Sequence, residues 1–312
     1  MLKETFVSIV IPTFNEAEDI KKTLDACLAL DHPLKEIIVV DDSTDETPAI
    51  VGRYEKIGPV RLIKREKNFG GRCGARNDGI LAAKGEVVVI LNADVILPPD
   101  FIIRILEHYA AGADYVLVNA EVINQENVFA RFVEALHRFH YRNEGDYSAA
   151  EWTEGFSCRK SVVIAIGLFP TPPVKLTAGE DGYFGKKLKV GRYKKAVDLS
   201  ITVKHFAPHR FRDFWRIQKE RVSAIASFFL EEKSLLEIFV RAAIRTFITV
   251  LGLALIVPAV FTGFRLSHYS SRRFRDVFLF ACLYFIQQSA FIYGKWSSFL
   301  RLLSYQIQKH QS

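Results

Sequence analysis

Four short apolar runs set the rhythm of the first hundred residues. "FVSIVI" (6–11) stops at Pro12, "EIIVV" (36–40) at Asp41, "VRLIKR" (60–65) in a charged turn, and "EVVVIL" (86–91) at Asn92. Runs this short, rich in Val and Ile and bounded by breakers, read as buried strands. Between them the spacing becomes helical. "NEAEDIKKTLDACLAL" sets Ile20, Leu24, Cys27 and Leu28 on one face with acids in the first turn; "DDSTDET" opens a second helix running to about Ile57; "NFGGRCGARNDGILAAKG" is a Gly-rich loop entering a third. Residues 115–118 and 197–203 read as further strands. Alternating strands and helices predict an α/β class with a parallel sheet covered on both faces. In such sheets ligands sit outside the carboxyl ends of the strands, so Pro12–Glu16, Asp41–Asp42 and Asn92–Asp94 should line one crevice.

The last third follows a different pattern. From Asp213 to Arg245 basic and apolar residues interleave, as in a helix lying at a membrane interface. Two uncharged runs follow, at 246–264 and 277–294. A spanning helix needs about 20 apolar residues, so both sit at the short end; a membrane hairpin and a pair of buried core helices are both open. The connection carries Arg265, Arg272, Arg273 and Arg275, which the positive-inside tendency keeps cytoplasmic, whereas a hairpin with cytoplasmic ends would put it outside. Re-entrant or interfacial packing of one segment would remove that conflict.

Charge sharpens the division. The chain carries +7 at pH 7, and residues 209–312 hold 15 Lys and Arg against 6 Asp and Glu, leaving 27 against 29 before them. A basic excess beside the longest apolar runs points to an anionic membrane surface, with no nucleic acid as partner. "MLKETFVSIVIPTFNE" has too short an apolar run for a signal peptide, so the N-terminal part is expected in the cytoplasm. Cys27, Cys73, Cys158 and Cys282 show no metal spacing and read as packing residues.

"IVIPTFNE", "VVDDSTDET", "GARNDGI", "NAD", "GED" (179–181) and "QKERV" (218–222) occur in that order, and together they resemble the family 2 glycosyltransferases over roughly residues 6–222. The resemblance implies a GT-A nucleotide-sugar-binding domain with a mixed, mainly parallel sheet, followed by C-terminal membrane-associated helices. It assigns donor contacts to Pro12, Phe14, Glu16, Val39 and Asp41, and adds Asn92 and Ala93. In the family an Asp-x-Asp pair ends the fourth strand and its last acid holds Mn²⁺ or Mg²⁺, which offsets the charge of the departing diphosphate. Asp94 matches that acid. Asn92 departs from the pattern; an amide still exchanges hydrogen bonds but brings no charge, which predicts weaker metal affinity. By the same resemblance Asp181 is the general base for the acceptor hydroxyl, and Glu180 positions the acceptor or a neighbouring base. "RIQKERV" is similar to the family's Gln-x-x-Arg-Trp, with Val222 in place of tryptophan; Gln218 would contact sugar and Arg221 the diphosphate.

Several of these residues have plainer readings. "DDSTDET" also reads as a helix-capping cluster, and Gln218 and Arg221 could face lipid headgroups. Arg72 and Arg76 suit either a diphosphate or solvent. His205 could be a second metal ligand or a packed histidine. An oxidoreductase on a dinucleotide-binding sheet requires a GxGxxG after the first strand, where this chain has "PTFNEAED".

The expectation is an inverting, metal-dependent hexosyltransferase at the cell membrane, multi-pass, with a cytoplasmic catalytic domain. Its donor is a nucleotide-sugar, a UDP-sugar being the commoner case in the family. Its acceptor is lipid-linked or a membrane-proximal glycan. Extension of a polysaccharide and a catalytically inactive binding module remain as alternatives. The expected boundaries are 1–212 for the transferase domain, 213–245 for interfacial helices, and 246–312 for the hairpin and tail.

Overall fold

A computed structural model describes residues 4–65, 69–141, 150 and 152–311. Asn68, at the head of the Gly-rich loop, lies outside them. The chain forms two compact units, one of residues 1–121, 143–171 and 181–205, the other of 122–142, 172–180 and 206–312.

The expected strands are present as β1 (Val7–Thr13), β2 (Lys35–Asp41), β3 (Val60–Lys64) and β4 (Val87–Ile90). They are joined by helices α1 (Ile20–Leu28), α2 (Thr47–Tyr54) and α3 (Gly71–Ala82). All four strands are parallel, in the order β3-β2-β1-β4. Every residue of β1 is buried, because it has strands on both sides and helices over both faces. Beyond β4 the sheet becomes mixed: β7 (Ser157–Arg159) runs antiparallel to β4 and to β6 (Tyr115–Val122), β8 (Lys195–His205) lies beside β6, and the two-residue β5 (Val95–Ile96) runs antiparallel to β8. Helices α4 (Phe101–Ala110), α6 (Lys160–Ala165) and α7 (Glu180–Val190) complete this region.

Two glycines fix the seat of α3. Gly70 enters it at φ +71°, a left-handed conformation open to glycine at little cost. A methyl group on Gly79 would stand 2.3 Å from Val10 Cγ1, so the helix backbone rests directly on β1. Cys27, Cys73 and Cys158 are buried, and burial pushes the Cys27 thiol up to about 12, which makes it a packing residue. Cys282 differs from expectation in being exposed.

The second unit is helical. Helix α5 (Val128–His140) is capped by Asn127, whose side chain accepts from Phe129 N at 2.8 Å. It is followed by α8 (Phe211–Glu220), α9 (Ala224–Phe229), α10 (Leu235–Ala254), α11 (Val257–Ser267) and the long α12 (Arg273–Gln311). Helix α12 is long and apolar enough to cross a membrane; α10 and α11 pass the same criterion only as a pair bent by 81°. The first apolar run, 246–264, is therefore not one straight segment. Ile256 sits at φ +60°, and Pro258 has no N–H to continue a helix ladder, so the run breaks between Ala254 and Val257.

Helices α5 and α12 are joined by a buried ion pair. Arg131 Nε donates to Asp276 Oδ2 at 2.7 Å and Nη2 to Oδ1 at 2.9 Å, and both side chains are almost fully enclosed. Arg131 Nη1 donates to the carbonyls of Gln125 and Glu126, and Ser270 adds its hydroxyl to Asp276. Phe132 packs edge-on against Phe214 and Phe280 beside the pair. Removing one partner strands a buried charge, so Arg131→Met should cost about 3–5 kcal/mol, read as a lower thermal midpoint of the detergent-solubilised chain. Adding Asp276→Leu should recover most of the loss.

Candidate active site

The site in the first unit begins with two loops stapled together. Asn15 takes φ +61°, a conformation its short side chain tolerates by bonding locally. Its Oδ1 accepts from Thr44 N at 2.9 Å, its own N–H donates to Ser43 Oγ at 2.8 Å, and Glu16 N donates to Thr47 Oγ1 at 2.9 Å. These bonds leave Phe14 half exposed just past the end of β1, while Pro12 and Val39 lie buried in neighbouring strands.

Register pairs Thr13 with Asp41 across β1 and β2. Thr13 Oγ1 and Ser43 Oγ both donate to Asp41 Oδ1 at 2.6 Å. The other oxygen, Oδ2, is buried and has no hydrogen-bond partner among the described residues. Leaving such an atom unsatisfied costs about 1–3 kcal/mol or more for a charged group, so this end of β2 favours a ligand that brings a donor. The rest of "DDSTDET" is structural. Asp42 pairs with Arg65 at 2.7 Å, and Asp45 accepts from Thr47 N at 2.9 Å in the turn that starts α2.

At the end of β4, Ala93 is buried and its carbonyl accepts from Thr23 Oγ1 at 2.6 Å. Enclosure by protein raises the Asp94 carboxyl well above the ordinary carboxylate range, and the nearby charges of Glu154, Glu16 and Asp19 raise it further. His205 is paired in register with Val95, one residue from Asp94. Among the described residues no group of three or more His, Cys, Asp or Glu could hold a metal ion by itself.

Asn92, in place of an acid, has a structural reason. Its Nδ2 donates to Glu154 Oε2 at 2.9 Å and its Oδ1 accepts from Arg76 Nη2 at 3.4 Å, two roles that an amide combines and an ionised carboxylate does not. Arg76 is 1% exposed; its guanidinium lies 5.3 Å from the Trp152 ring and 5.0 Å from the Phe169 ring, and Nη1 donates to Asp181. Phe169 is itself clamped, with its N–H and carbonyl each bonded to Asn77 at 2.9 Å. Arg72 is exposed on the first turn of α3. The chain Asp181–Arg76–Asn92–Glu154 joins residues up to 105 positions apart in sequence.

The structure thus gathers Pro12, Phe14, Glu16, Val39, Asp41, Arg72, Asn92, Ala93, Asp94, Asp181 and His205 in the first unit. Glu180, Gln218 and Arg221 belong to the second. Glu180 is buried at the start of α7. Gln218 is fully buried, accepting from Gln287 Nε2 at 2.9 Å, and its own Nε2 has no hydrogen-bond partner among the described residues. Arg221 closes α8 on the surface. Sequence reasoning missed Glu154, Trp152 and Phe169, for which no local spacing gave a signal.

Residues 8–165, just over half of the 312-residue chain, match the family described as Glycosyl transferase family 2, and the chain belongs to that family. It is similar to the succinoglycan biosynthesis protein ExoO of Rhizobium meliloti, at 38% identity over 120 residues, 38% of this chain and 34% of that protein. It is also similar to an undecaprenyl-phosphate 4-deoxy-4-formamido-L-arabinose transferase of Pectobacterium carotovorum, at 30% identity over 152 residues, 47% of this chain and 46% of that protein. The chain thus spans about a third to a half of the length of these relatives. In fold it is similar to the mannosyltransferase PcManGT from Pyrobaculum calidifontis, solved with GDP-Man and Mn²⁺, with a TM-score of 0.53 and 23% identity over 69% of this chain and 60% of that one.

Two stability measurements follow from the acids. A carboxyl that holds its proton more tightly folded than unfolded loses stability as pH rises from about 3.8 through the raised folded value. Asp94→Asn should therefore raise the thermal midpoint at pH 7 without divalent cation, and the gain should vanish toward pH 4. Asn92→Asp removes the donor to Glu154 and adds a like charge beside it; it should cost about 1–3 kcal/mol in chelator, part of which Mn²⁺ restores.

Proposed function

We propose that this chain is an inverting transferase that moves a sugar from a nucleotide-sugar donor, of the UDP-sugar type, to a lipid-linked or membrane-proximal glycan acceptor. The observation that carries this reading is the buried Asp41 with its unpartnered Oδ2 at the end of β2, in the same unit as the acids around Asp94. An acceptor-only oxygen facing bound donors suits the N–H and hydroxyl groups of a nucleoside, with Pro12, Phe14, Glu16 and Val39 around it. Arg72, at the start of α3, lies where a diphosphate would gain from a guanidinium and a helix N-terminus together.

The residues fit a divalent cation. Asp94, crowded by Glu154, Glu16 and Asp19, is a hard-oxygen set with excess negative charge, and it lacks the third ligand of an all-protein cage. Mg²⁺ and Mn²⁺ favour such incomplete sets, completed by substrate phosphates and water. Asp94 would hold the ion, with His205 as a further ligand; when bound, such an ion offsets the charge on the departing diphosphate.

In transfer, the Asp181 carboxylate takes the proton of the acceptor hydroxyl. The oxygen attacks the anomeric carbon opposite the diphosphate, and the electron pair of the breaking C–O bond stays with the nucleotide. Arg76 engages Asp181 through Oδ1, which fixes the side chain; in this reading the other oxygen takes the proton. Asn92 and Ala93 hold the donor side of the crevice. The large exposed side chains of α10 and α11, among them Phe247, Ile248, Leu251 and Phe261, give the second unit a surface for the bilayer, with the transferase unit on the cytoplasmic side. Likeness to the succinoglycan biosynthesis protein favours a second reading, extension of a polysaccharide.

Titration of the detergent-purified chain with UDP, GDP and their sugar conjugates, with and without Mn²⁺, should show one nucleotide bound more tightly with metal. No binding in either condition would overturn the reading. Asp181→Asn should keep donor affinity while lowering transfer by about 10²–10⁴-fold.

A further inference from the structure

The second unit contains a cavity lined by none of the residues assigned to sugar transfer. It has a volume of about 660 Å³ and lies between α10 and α12, lined by Val250, Leu253 and Ala254 on one side and Phe285, Ile292 and Trp296 on the other. The two helices run antiparallel here. Phe239 packs at a tilt against Phe299, Trp296 Nε1 donates to Thr246 Oγ1 at 2.9 Å, and Ala254 and Phe285 line the far end. At 1.5 Å per residue, the trough from Trp296 to Phe285 is about 16 Å long.

Its two ends differ in charge. Lys295 and Arg245 flank the Trp296–Thr246 hydrogen bond in sequence, and Lys295 lies within electrostatic reach of Arg245, Arg241 and Lys233. Arg241 is paired with Glu237 at 2.8 Å and Lys233 with Glu231. Among the described residues Arg245 and Lys295 have no acidic partner, so this end carries two uncompensated cations. Toward Phe285 the lining is apolar. An apolar trough with cations at one end complements an amphiphile with an anionic head, and the half-buried Trp296 indole at that end suits a membrane–water boundary.

We propose that this trough seats a prenyl phosphate, its phosphate on Arg245 and Lys295 and its first isoprene units between α10 and α12. The proposal deepens, and rests on, the reading of a lipid-linked acceptor. A single trough between two helices takes one chain, which favours a prenyl lipid over a diacyl phospholipid.

Native mass spectrometry of the full chain released from detergent tests it, with undecaprenyl phosphate, undecaprenol, phosphatidylglycerol and inorganic phosphate offered separately. Undecaprenyl phosphate should be retained above the other three. Arg245→Gln with Lys295→Gln, and separately Leu253→Trp, which fills the trough, should each weaken retention by about tenfold or more. Nucleotide affinity of the same preparations reports that the fold is intact. Equal retention of phosphatidylglycerol or undecaprenol, retention of inorganic phosphate alone, or unchanged retention by both variants would overturn the proposal. Nucleotide binding with no prenyl phosphate retained sinks only this site; prenyl phosphate retained with no nucleotide bound sinks the transferase reading and leaves the site standing.

Discussion

A guanidinium cannot be left in a protein interior without partners, and Arg76 is about as enclosed as a side chain can be. The first unit meets that demand from three directions. Asp181 supplies the opposite charge, Asn92 a neutral oxygen, and Trp152 and Phe169 the electron-rich ring faces that a flat cation favours. Each partner comes from a different part of the chain, so satisfying one cation brings the end of β4, the segment before β7 and the start of α7 to one place. A neutral amide at position 92 keeps Arg76 from being shared between two acids. Asp181 takes its Nη1, and Glu154 adds its charge to those of Glu16 and Asp19 near Asp94.

Much of this was legible in the sequence because strands and their ends are local features. Val and Ile in short runs, stopped by Pro12, Asp41 and Asn92, gave the parallel half of the sheet and the crevice beyond it. Asp41 and Asp94 could be located in the same way. The mixed half was less readable, since β5 and β7 are two and three residues long and owe their existence to neighbours rather than to propensity. Glu154 was invisible for a related reason: its partner Asn92 lies 62 positions away, and nothing within its own turn marks it. "DDSTDET" held both of its readings at once, with Asp45 starting a helix, Asp42 tied to Arg65, and Asp41 presenting a buried Oδ2 with no hydrogen-bond partner among the described residues.

The C-terminal third shows what composition does and does not specify. Apolar runs and arginines set this third apart, and α12 within it is long and apolar enough to cross a membrane. Composition could not show that Pro258 and the unusual backbone of Ile256 split the first run, or that Asp276 at the head of α12 pairs with Arg131 across 145 positions. The broken run accounts for the arginine-rich connection better than a straight hairpin does. A bent pair of helices need not carry its chain to the opposite side, so the arginines from 265 to 275 can remain on the side where they began.

Gly79 bears on the site although it touches none of it. With a hydrogen where every other residue has a carbon, α3 lies flush against β1, and Arg76 sits one turn up the same helix. A side chain at 79 would act as a shim. It would lift the helix off the strand, and the guanidinium would move with it while the rings and acids that grip it stayed on other elements. The alignment of the polar network is in this sense set at the apolar end of the helix, by a gap of one methyl group.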